Sequence, residues 1–236
     1  MKARDDQSNI EKCAEVHFPF TIMEEDPAKA AVAEGSATSS RESTKQLLIR
    51  TGHRILREKG YSGTGLQEVL QSCNVPKGSF YHFFASKEDF GLAIIDYDAA
   101  QHKQELDSYL EDEHYTPLVR LRRYFEMKCQ YFQARRHREG CLVGKLAQEL
   151  AEQNETFRVR IERFFADWES DIARCLVRAQ QAGEIPLHLD AHNLAAFLIN
   201  SWEGALAQMK VNRSTLPLQI FMDFSFKILL QNRFVP

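Results

Sequence analysis

One cysteine in the chain has neighbours that favour nucleophilic chemistry. Cys141 follows Gly140 at the predicted start of a helix, where free backbone N–H groups and the positive end of the helix dipole stabilise a thiolate. Four cations lie close to it in the sequence, namely Arg135, Arg136, Arg138 and Lys145. This pattern predicts a thiolate that attacks electrophiles. The alternative is a small buried cysteine beside a solvated helix end, because free cysteines are usually buried.

A second group of side chains, within residues 64–87, has the chemistry of a nucleic-acid contact. The group consists of Thr64, Gln67, Lys77, Gly78, Ser79, Tyr81, His82 and Lys87. Cations and hydroxyl groups bind phosphates, amide and aromatic side chains contact base edges, and glycine allows a close approach. We therefore expect these residues to contact DNA. The alternative is the solvated outer face of a compact three-helix unit.

Two short helices would position that group. The first has an apolar stripe at helical spacing, formed by Leu66, Val69, Leu70 and Cys73. Thr64 occupies its predicted N-cap, and Gln67 would complete a capping box. Pro76 suits the first turn of the second helix, which Phe80, Phe83 and Phe84 would anchor. Ser86 is the predicted cap of the following helix. This succession has the length of a helix-turn-helix.

The same segment carries a family resemblance. The run V-P-K-G-S-F-Y-H-F-F-x-S-K-E-D-F resembles the recognition-helix signature of the TetR family of bacterial transcriptional repressors, and residues 44–63 resemble that family's first helix. The resemblance implies an all-α fold, with an N-terminal three-helix helix-turn-helix head and a C-terminal helical bundle for ligand binding and dimerisation. It further implies a homodimeric repressor that binds a palindromic double-stranded operator, is released by a small-molecule effector, and has neither catalytic activity nor a cofactor.

A narrower resemblance concerns the effector. The run G-C-L-V-G-x-L-x-Q-E from Gly140, together with W-E-G-A at residues 202–205 and Lys210, resembles the branch of the family that controls acrylate and electrophile detoxification. This resemblance implies that Cys141 senses an acrylate-like or electrophilic effector. Lys210 either approaches Cys141, where it would stabilise the thiolate or an effector carboxylate, or extends its ammonium group to water. We favour the second alternative, and Glu203 receives no role.

Charge and periodicity divide the chain into three parts. Residues 1–42 lack a period and are predicted to be a disordered extension, residues 43–90 to be the helix-turn-helix domain, and residues 91–236 to be the helical sensing and dimerisation domain. Residues 44–90 hold seven Lys and Arg against four Asp and Glu, whereas residues 1–43 hold five against nine. The attraction for phosphates is therefore concentrated in the predicted DNA-binding domain.

Every long segment after residue 86 is predicted to be a helix. Three apolar stripes define expected core faces: Leu118, Leu121, Phe125 and Phe132; Phe157, Ile161, Phe164, Trp168, Ile172 and Cys175; and Leu194, Phe197, Leu198, Trp202, Ala205 and Met209. Phe164, Trp168 and Trp202 either line a pocket or belong to the plain core. The last two helices, at about residues 190–211 and 216–230, are the expected dimer interface.

Other classes of protein find less support. The five cysteines, Cys13, Cys73, Cys129, Cys141 and Cys175, show neither a zinc-binding nor a disulfide pattern. No apolar run reaches the roughly 20 residues of a membrane span, and the acidic N-terminus is unlike a signal peptide, so we expect a cytoplasmic protein. A cysteine-dependent enzyme using Cys141 and His137 would lack an orienting third group. An all-helical interaction protein without DNA binding is the remaining alternative.

Overall fold

The computed structural model describes residues 37–230, with side chains from residue 44 onward, and the elements of this part of the chain are all helical. They are α1 (Ala37–Lys59), α2 (Leu66–Ser72), α3 (Lys77–Phe80), α4 (Lys87–Leu110), α5 (Pro117–Ala134), α6 (Leu142–Leu150), α7 (Glu155–Gln181), α8 (Ala191–Asn212), α9 (Leu216–Asp223) and a π-helix (Phe224–Leu229). The predicted all-α class is confirmed. Helix α1 begins before the expected boundary at residue 43, and the rest of the predicted extension, with Cys13, lies outside the described residues.

The first three helices pack around an aromatic centre. Phe80, Phe84 and Phe90 are buried, and their ring centroids lie 4.9 to 5.3 Å apart. Val69 and Leu70 of α2 join this core, as the predicted stripe requires. Helix α3 has four residues, too few to be stable by itself, so it depends on Phe80 for its position. The core therefore fixes a very short helix at the surface.

Two local predictions are wrong. Gly65, not Thr64, is the N-cap of α2, and the Thr64 hydroxyl instead donates to the Gly60 carbonyl oxygen at 2.6 Å. Gly60 has a positive φ of 79° and ends α1, so Thr64 is needed to close the following turn and is unavailable as a cap. Pro76 is the N-cap of α3 rather than its first helical residue.

Helix α4 connects the head, formed by α1 to α3, to the body, formed by α5 to α9 and the π-helix. It packs against α1 as well as against α5 and α7. Its start is fixed as predicted, because the Ser86 hydroxyl accepts a hydrogen bond from the Asp89 backbone N–H at 3.0 Å. Movement of body helices against α4 therefore bears directly on the head.

The body is built on α5 to α9. All six residues of the predicted α7 stripe are buried, and α8 begins where Asp190 accepts a hydrogen bond from the Asn193 N–H at 2.8 Å. One expected core residue is misplaced: Phe197 of α8 is 53 % exposed. Phe197 lies one residue before the buried Leu198, so helix geometry turns it away from the core.

Candidate DNA-contact surface and cysteine site

The short helix α3 and the two residues after it expose Lys77, Gly78, Tyr81 and His82, which we call the tip. The side chains of Lys77, Tyr81 and His82 form no ion pair or hydrogen bond within residues 44–230. A Cβ atom on Gly78 would meet nothing within 4 Å, so the backbone there is open to a large partner. The tip thus leaves a cation, an aromatic hydroxyl and an imidazole available for binding.

The other predicted DNA contacts differ in their exposure. Gln67 is exposed and Ser79 is half-buried, but the Thr64 side chain is buried against Gly60. Lys87 is half-buried, and its Nζ donates to the Tyr61 carbonyl oxygen at 2.9 Å and lies 4.3 Å from the Tyr61 ring centroid. Burial lowers the pKa of the Lys87 ammonium group. Thr64 and Lys87 therefore hold the head together, and in this conformation neither side chain is presented freely to a phosphate.

Helix α6 is bound directly to the end of α1. Lys145 Nζ donates to the carbonyl oxygens of Arg57 and Glu58, at 3.2 and 3.0 Å, which are among the oxygens that a helix C-terminus leaves unpaired. Glu149 accepts hydrogen bonds from the backbone N–H groups of Tyr61 at 3.0 Å and Ser62 at 2.5 Å. Burial works to raise the pKa of Glu149, but these hydrogen bonds outweigh it and the pKa is lowered. One helix of the body therefore caps and orients the first helix of the head.

An ionic network joins the residue before Cys141 to the same helix. Arg57 lies 3.4 Å from the Glu139 carboxylate and 3.5 Å from the Gly140 carbonyl oxygen. On its other side Arg57 is 4.0 Å from Asp98, whose carboxylate is 2.6 Å from His53 Nε2. Burial works to raise the pKa of Asp98, but the hydrogen bond from His53 and the charges of His53 and Arg57 outweigh it and the pKa is lowered. The segment leading into Cys141 is consequently attached to α1 and α4.

The structure confirms that Cys141 stands at a helix start, but its surroundings are the opposite of those predicted. Its Sγ accepts a hydrogen bond from the Gly144 N–H at 3.3 Å at the start of α6. Burial, followed by the charges of Glu203 and Asp98, nevertheless raises the pKa of the thiol well above its ordinary value, against the effect of the Gly144 N–H. Its surroundings therefore disfavour the thiolate.

The predicted cations serve other partners. Arg135 pairs with Glu139 at 3.1 Å and stacks 3.8 Å from the Tyr131 centroid, while Lys145 is bound to α1. Arg136 and Arg138 are exposed. The contacts therefore give no support to the expectation that these four cations stabilise a thiolate, because Arg135 and Lys145 bind other groups and Arg136 and Arg138 are exposed.

Glu203, which sequence analysis left without a role, lies beside the cysteine. An ideal Cβ on Gly144 would overlap the Glu203 carboxylate and would lie 3.5 Å from the Cys141 Cβ. Burial raises the pKa of Glu203 to about 7, although Cys141 and Lys210 act to lower it, and its Oε1 has no hydrogen-bond partner. The Lys210 Nζ lies 3.4 Å from the Cβ position of Gly140, so Lys210 approaches this site rather than extending wholly into water. Glu203 is the only charged residue between Asp190 and Lys210, a signal that the sequence did contain.

Further polar groups are buried near these residues without partners. The Tyr124 hydroxyl is fully buried, and its pKa is raised well above the ordinary value by burial and by the charges of Glu105, Cys141 and Glu203. His102 Nε2 and Trp168 Nε1 are likewise unpaired, and their rings lie 4.6 Å apart. Burial and then Lys128 lower the pKa of His102 to about 3, so its imidazole is neutral. Unpaired buried groups of this kind are available to a polar ligand.

A cleft reaches the His102 end of this group. It has a volume of about 390 Å³, lies between α4 and α7, and is lined by Ala99, His102, Lys103, Phe164, Asp167, Trp168, Ser170, Asp171 and Arg174. Phe164 and Trp168 thus line a cavity, as one sequence alternative proposed. Trp202 is not part of the lining of this cleft and packs in the core against Phe125 and Phe221 at centroid distances of 5.1 Å.

Two family models match the chain. The model described as "Bacterial regulatory proteins, tetR family" matches residues 48–94, and the model "Tetracyclin repressor-like, C-terminal domain" matches residues 117–224. The chain is 34% identical over 191 residues to the HTH-type transcriptional repressor DhaR of Mycobacterium sp. (strain GP1), covering 81% of this chain and 94% of that protein. The chain belongs to the TetR family.

Other TetR-family proteins extend the likeness. The transcriptional regulator AcuR of Cereibacter sphaeroides is 38% identical over 176 residues, which cover 75% of this chain and 80% of AcuR. The crystal structure of the reduced form of E. coli NemR superimposes with a TM-score of 0.75 at 28% identity, covering 79% of this chain and 96% of that one. These relatives are transcriptional regulators and not enzymes, so the TetR-family chain is a DNA-binding regulator. The alternative of a cysteine-dependent enzyme is therefore rejected.

The C-terminal helices of this TetR-family chain expose an apolar surface. It is formed by Phe197 and Val211 of α8, Leu216 and Ile220 of α9, and Phe224 and Ile228 of the π-helix, and we call it the C-terminal face. Gly204 is exposed on α8, and a Cβ there would meet nothing within 4 Å. Within residues 37–230, no helix has the length and apolar character of a membrane span, and no cluster of His, Cys, Asp and Glu could hold a metal ion.

Proposed function

We propose that the protein is a homodimeric repressor that binds a palindromic operator through the tip of each subunit and is released when an electrophilic or acrylate-like compound reaches Cys141. The exposed tip is the observation that carries this proposal. Lys77, in the four-residue helix α3, and Tyr81 and His82, just after it, are exposed, and Gly78 leaves room for the DNA backbone. Operator binding places this activity in the cytoplasm.

The C-terminal face supports the dimer. Side chains such as Phe224, 62 % exposed, and Val211, 76 % exposed, would bury apolar surface against a second copy of the same face. Two-fold symmetry would pair the face with itself. One four-residue helix contacts few base pairs, whereas two tips about 34 to 36 Å apart would contact successive major grooves of a palindrome.

The contacts of α6 support release by a compound that reacts at Cys141. Cys141 is the N-cap of α6, and Lys145 and Glu149 of the same helix bind the end of α1. A bulky adduct on the sulfur would displace the start of α6, and α1 would follow because it is hydrogen bonded to that helix. The effector then favours a spacing of the two tips that no longer fits the operator.

Gel retardation with a palindromic fragment from the region upstream of the gene tests the proposal. Wild-type protein should bind as a dimer, and its affinity should fall steeply with rising salt. Lys77→Ala should bind at least about tenfold more weakly and reduce the salt slope by about one per subunit.

Arg163→Ala is the matched control, because Arg163 is 77% exposed on α7 and its loss removes one positive charge outside the head. It should bind like wild type. Equal affinities for the Lys77 variant and wild type would move the DNA contact elsewhere, and a monomeric mass in solution would refute the two-tip arrangement.

A further inference from the structure

The half-buried Cys141 thiol needs a base if it is to react at neutral pH. A thiolate, not a thiol, is the nucleophile, and burial beside two carboxylates disfavours the thiolate. The cations that could have compensated are bound to Glu139 and to α1, or lie exposed. The reaction therefore requires a group that removes the proton as the sulfur attacks.

Glu203 is placed to be that group. Its carboxylate occupies the space that a side chain on Gly144 would fill, one turn into the helix that Cys141 caps. Because residue 144 is glycine, a carboxylate from α8 approaches the start of α6 closely, within reach of the Cys141 side chain, and the thiol and the carboxyl group each shift the pKa of the other. The Glu203 Oε1 has no other partner to hold it away from the reacting atoms.

A second observation points to a ligand at the same place. The Tyr124 hydroxyl is fully buried, lacks a hydrogen-bond partner, and is close enough to Cys141 and Glu203 for their charges to affect its pKa. A buried hydroxyl without a partner costs free energy unless a bound molecule satisfies it. It can donate to the carbonyl oxygen of an unsaturated carbonyl compound and stabilise the charge that develops there during addition.

We propose that Glu203 is the general base for Cys141, accepting the thiol proton as the sulfur adds to an alkene conjugated with a carbonyl group. This inference rests on the proposed sensing function of Cys141. The S–H proton passes to a Glu203 carboxylate oxygen while the sulfur bonds to the β-carbon. The alkene electron pair moves to the carbonyl oxygen as an enolate, and the α-carbon then takes the proton from Glu203. The product is a thioether, and the carboxylate is regenerated.

The charges around the pair set its pH range. The charged groups are Lys210 on α8, Asp98 on α4, Arg57 on α1 and Glu139 before α6. The uncharged Tyr124 hydroxyl on α5 and the Gly144 N–H in α6 are the other polar groups there. Burial and Asp98 raise the pKa of Glu203, Cys141 and Lys210 lower it, and the result is about 7. A carboxyl group with that pKa is partly ionised at neutral pH and matched to proton transfer there.

The rate of Cys141 alkylation by N-ethylmaleimide, followed by peptide mass spectrometry on the full-length protein, tests the inference. The wild-type rate should rise with pH through an inflection near 7 and then level off. In Glu203→Gln the rate at pH 7 should fall by about a hundredfold, the scale of general-base catalysis, and the inflection should disappear. Glu203→Asp should retain the inflection with an intermediate rate.

Three outcomes would overturn the inference. A wild-type rate that rises only in the alkaline range of the thiol would do so without any variant, even if Glu203→Gln fails to fold. Unchanged alkylation in a folded Glu203→Gln would do so as well. Faster alkylation in that variant would show that the carboxylate merely suppresses thiol ionisation.

A separate measurement distinguishes this inference from the proposed function. Cys141→Ser should block the release of operator DNA by N-ethylmaleimide. If Cys141→Ser blocks release but Glu203→Gln reacts normally, the sensor stands and the base is refuted. If Cys141→Ser is still released, the sensing function itself is refuted.

Discussion

The tip and the cysteine site place their functional residues in contrasting surroundings. At the tip, Lys77 and Tyr81 are exposed, and the local fold does not use their polar groups. At the cysteine site, Cys141 and Glu203 are half-buried, come from different parts of the chain, and shift each other's pKa. The contrast shows that one short sequence segment can supply all the residues of a surface for a large charged partner. The reactivity of a cysteine inside the helical bundle depends instead on which helices pack together around it.

The largest expected effect distinguishes a residue that holds α3 in place from a residue that contacts DNA. Phe80→Ala removes the fully buried anchor of α3 and should lower the free energy of unfolding by about 3 to 5 kcal/mol. The neighbouring Tyr81→Ala, at a residue 53 % exposed, should change stability by less than about 0.5 kcal/mol. Denaturant unfolding measures both, and both variants should lose operator affinity. A stable Phe80→Ala protein would show that the tip does not depend on the aromatic centre.

A smaller effect compares one glycine from each region. Gly144→Ala forces a methyl group into the Glu203 carboxylate and should cost about 1 to 3 kcal/mol of stability, with slower alkylation of Cys141. Gly78→Ala meets no atom within 4 Å and should not lower stability, but it should weaken operator binding. Thermal unfolding, alkylation rates and gel retardation distinguish the two. Equal losses of stability in the two variants would show that the space beside Gly78 and the space beside Gly144 do not differ as described.

The smallest expected effect concerns the connection between the regions. Glu149→Ala removes the acceptor for Tyr61 and Ser62, should cost about 1 kcal/mol, and should reduce the effector-induced change in operator affinity about fivefold. Glu152→Ala removes an exposed carboxylate just beyond α6 and serves as the charge-matched control. Operator titrations with and without N-ethylmaleimide measure the coupling. Undiminished coupling in Glu149→Ala would mean that the signal reaches the head by another route, such as α4.

Sequence patterns predicted the head well because its information is local. The α2 stripe, the aromatic anchors and the Ser86 cap all depend on spacings within one or two helical turns, and the structure has them as predicted. The error at Thr64 arose where the end of one helix and the start of the next lie close together. Gly60 had already ended α1, and its carbonyl took the Thr64 hydroxyl.

The cysteine site was predicted only in part for the opposite reason. Its position at a helix start follows from Gly140 and Cys141, but its charge follows from Glu203 and Asp98, far away in the sequence. Sequence proximity suggested that the arginines would act on the sulfur. Closeness in sequence does not determine, however, which way their side chains point. A lone carboxylate in the apolar run of α8 was the available signal, and only the packing of α8 against Gly144 gives it meaning.

Helix α6, nine residues long, connects its N-cap Cys141 to Lys145 and Glu149, which bind the end of α1. At the usual rise of an α-helix its residues span only about 14 Å, so a chemical event at one end needs no long relay to be felt at the other. A helix this short moves as a rigid unit, so a displacement of its first residues also displaces its last ones. Substitutions that lengthen, kink or destabilise α6 should therefore give proteins that still react with the compound at Cys141 and still bind the operator. In such proteins the reaction should no longer release the DNA.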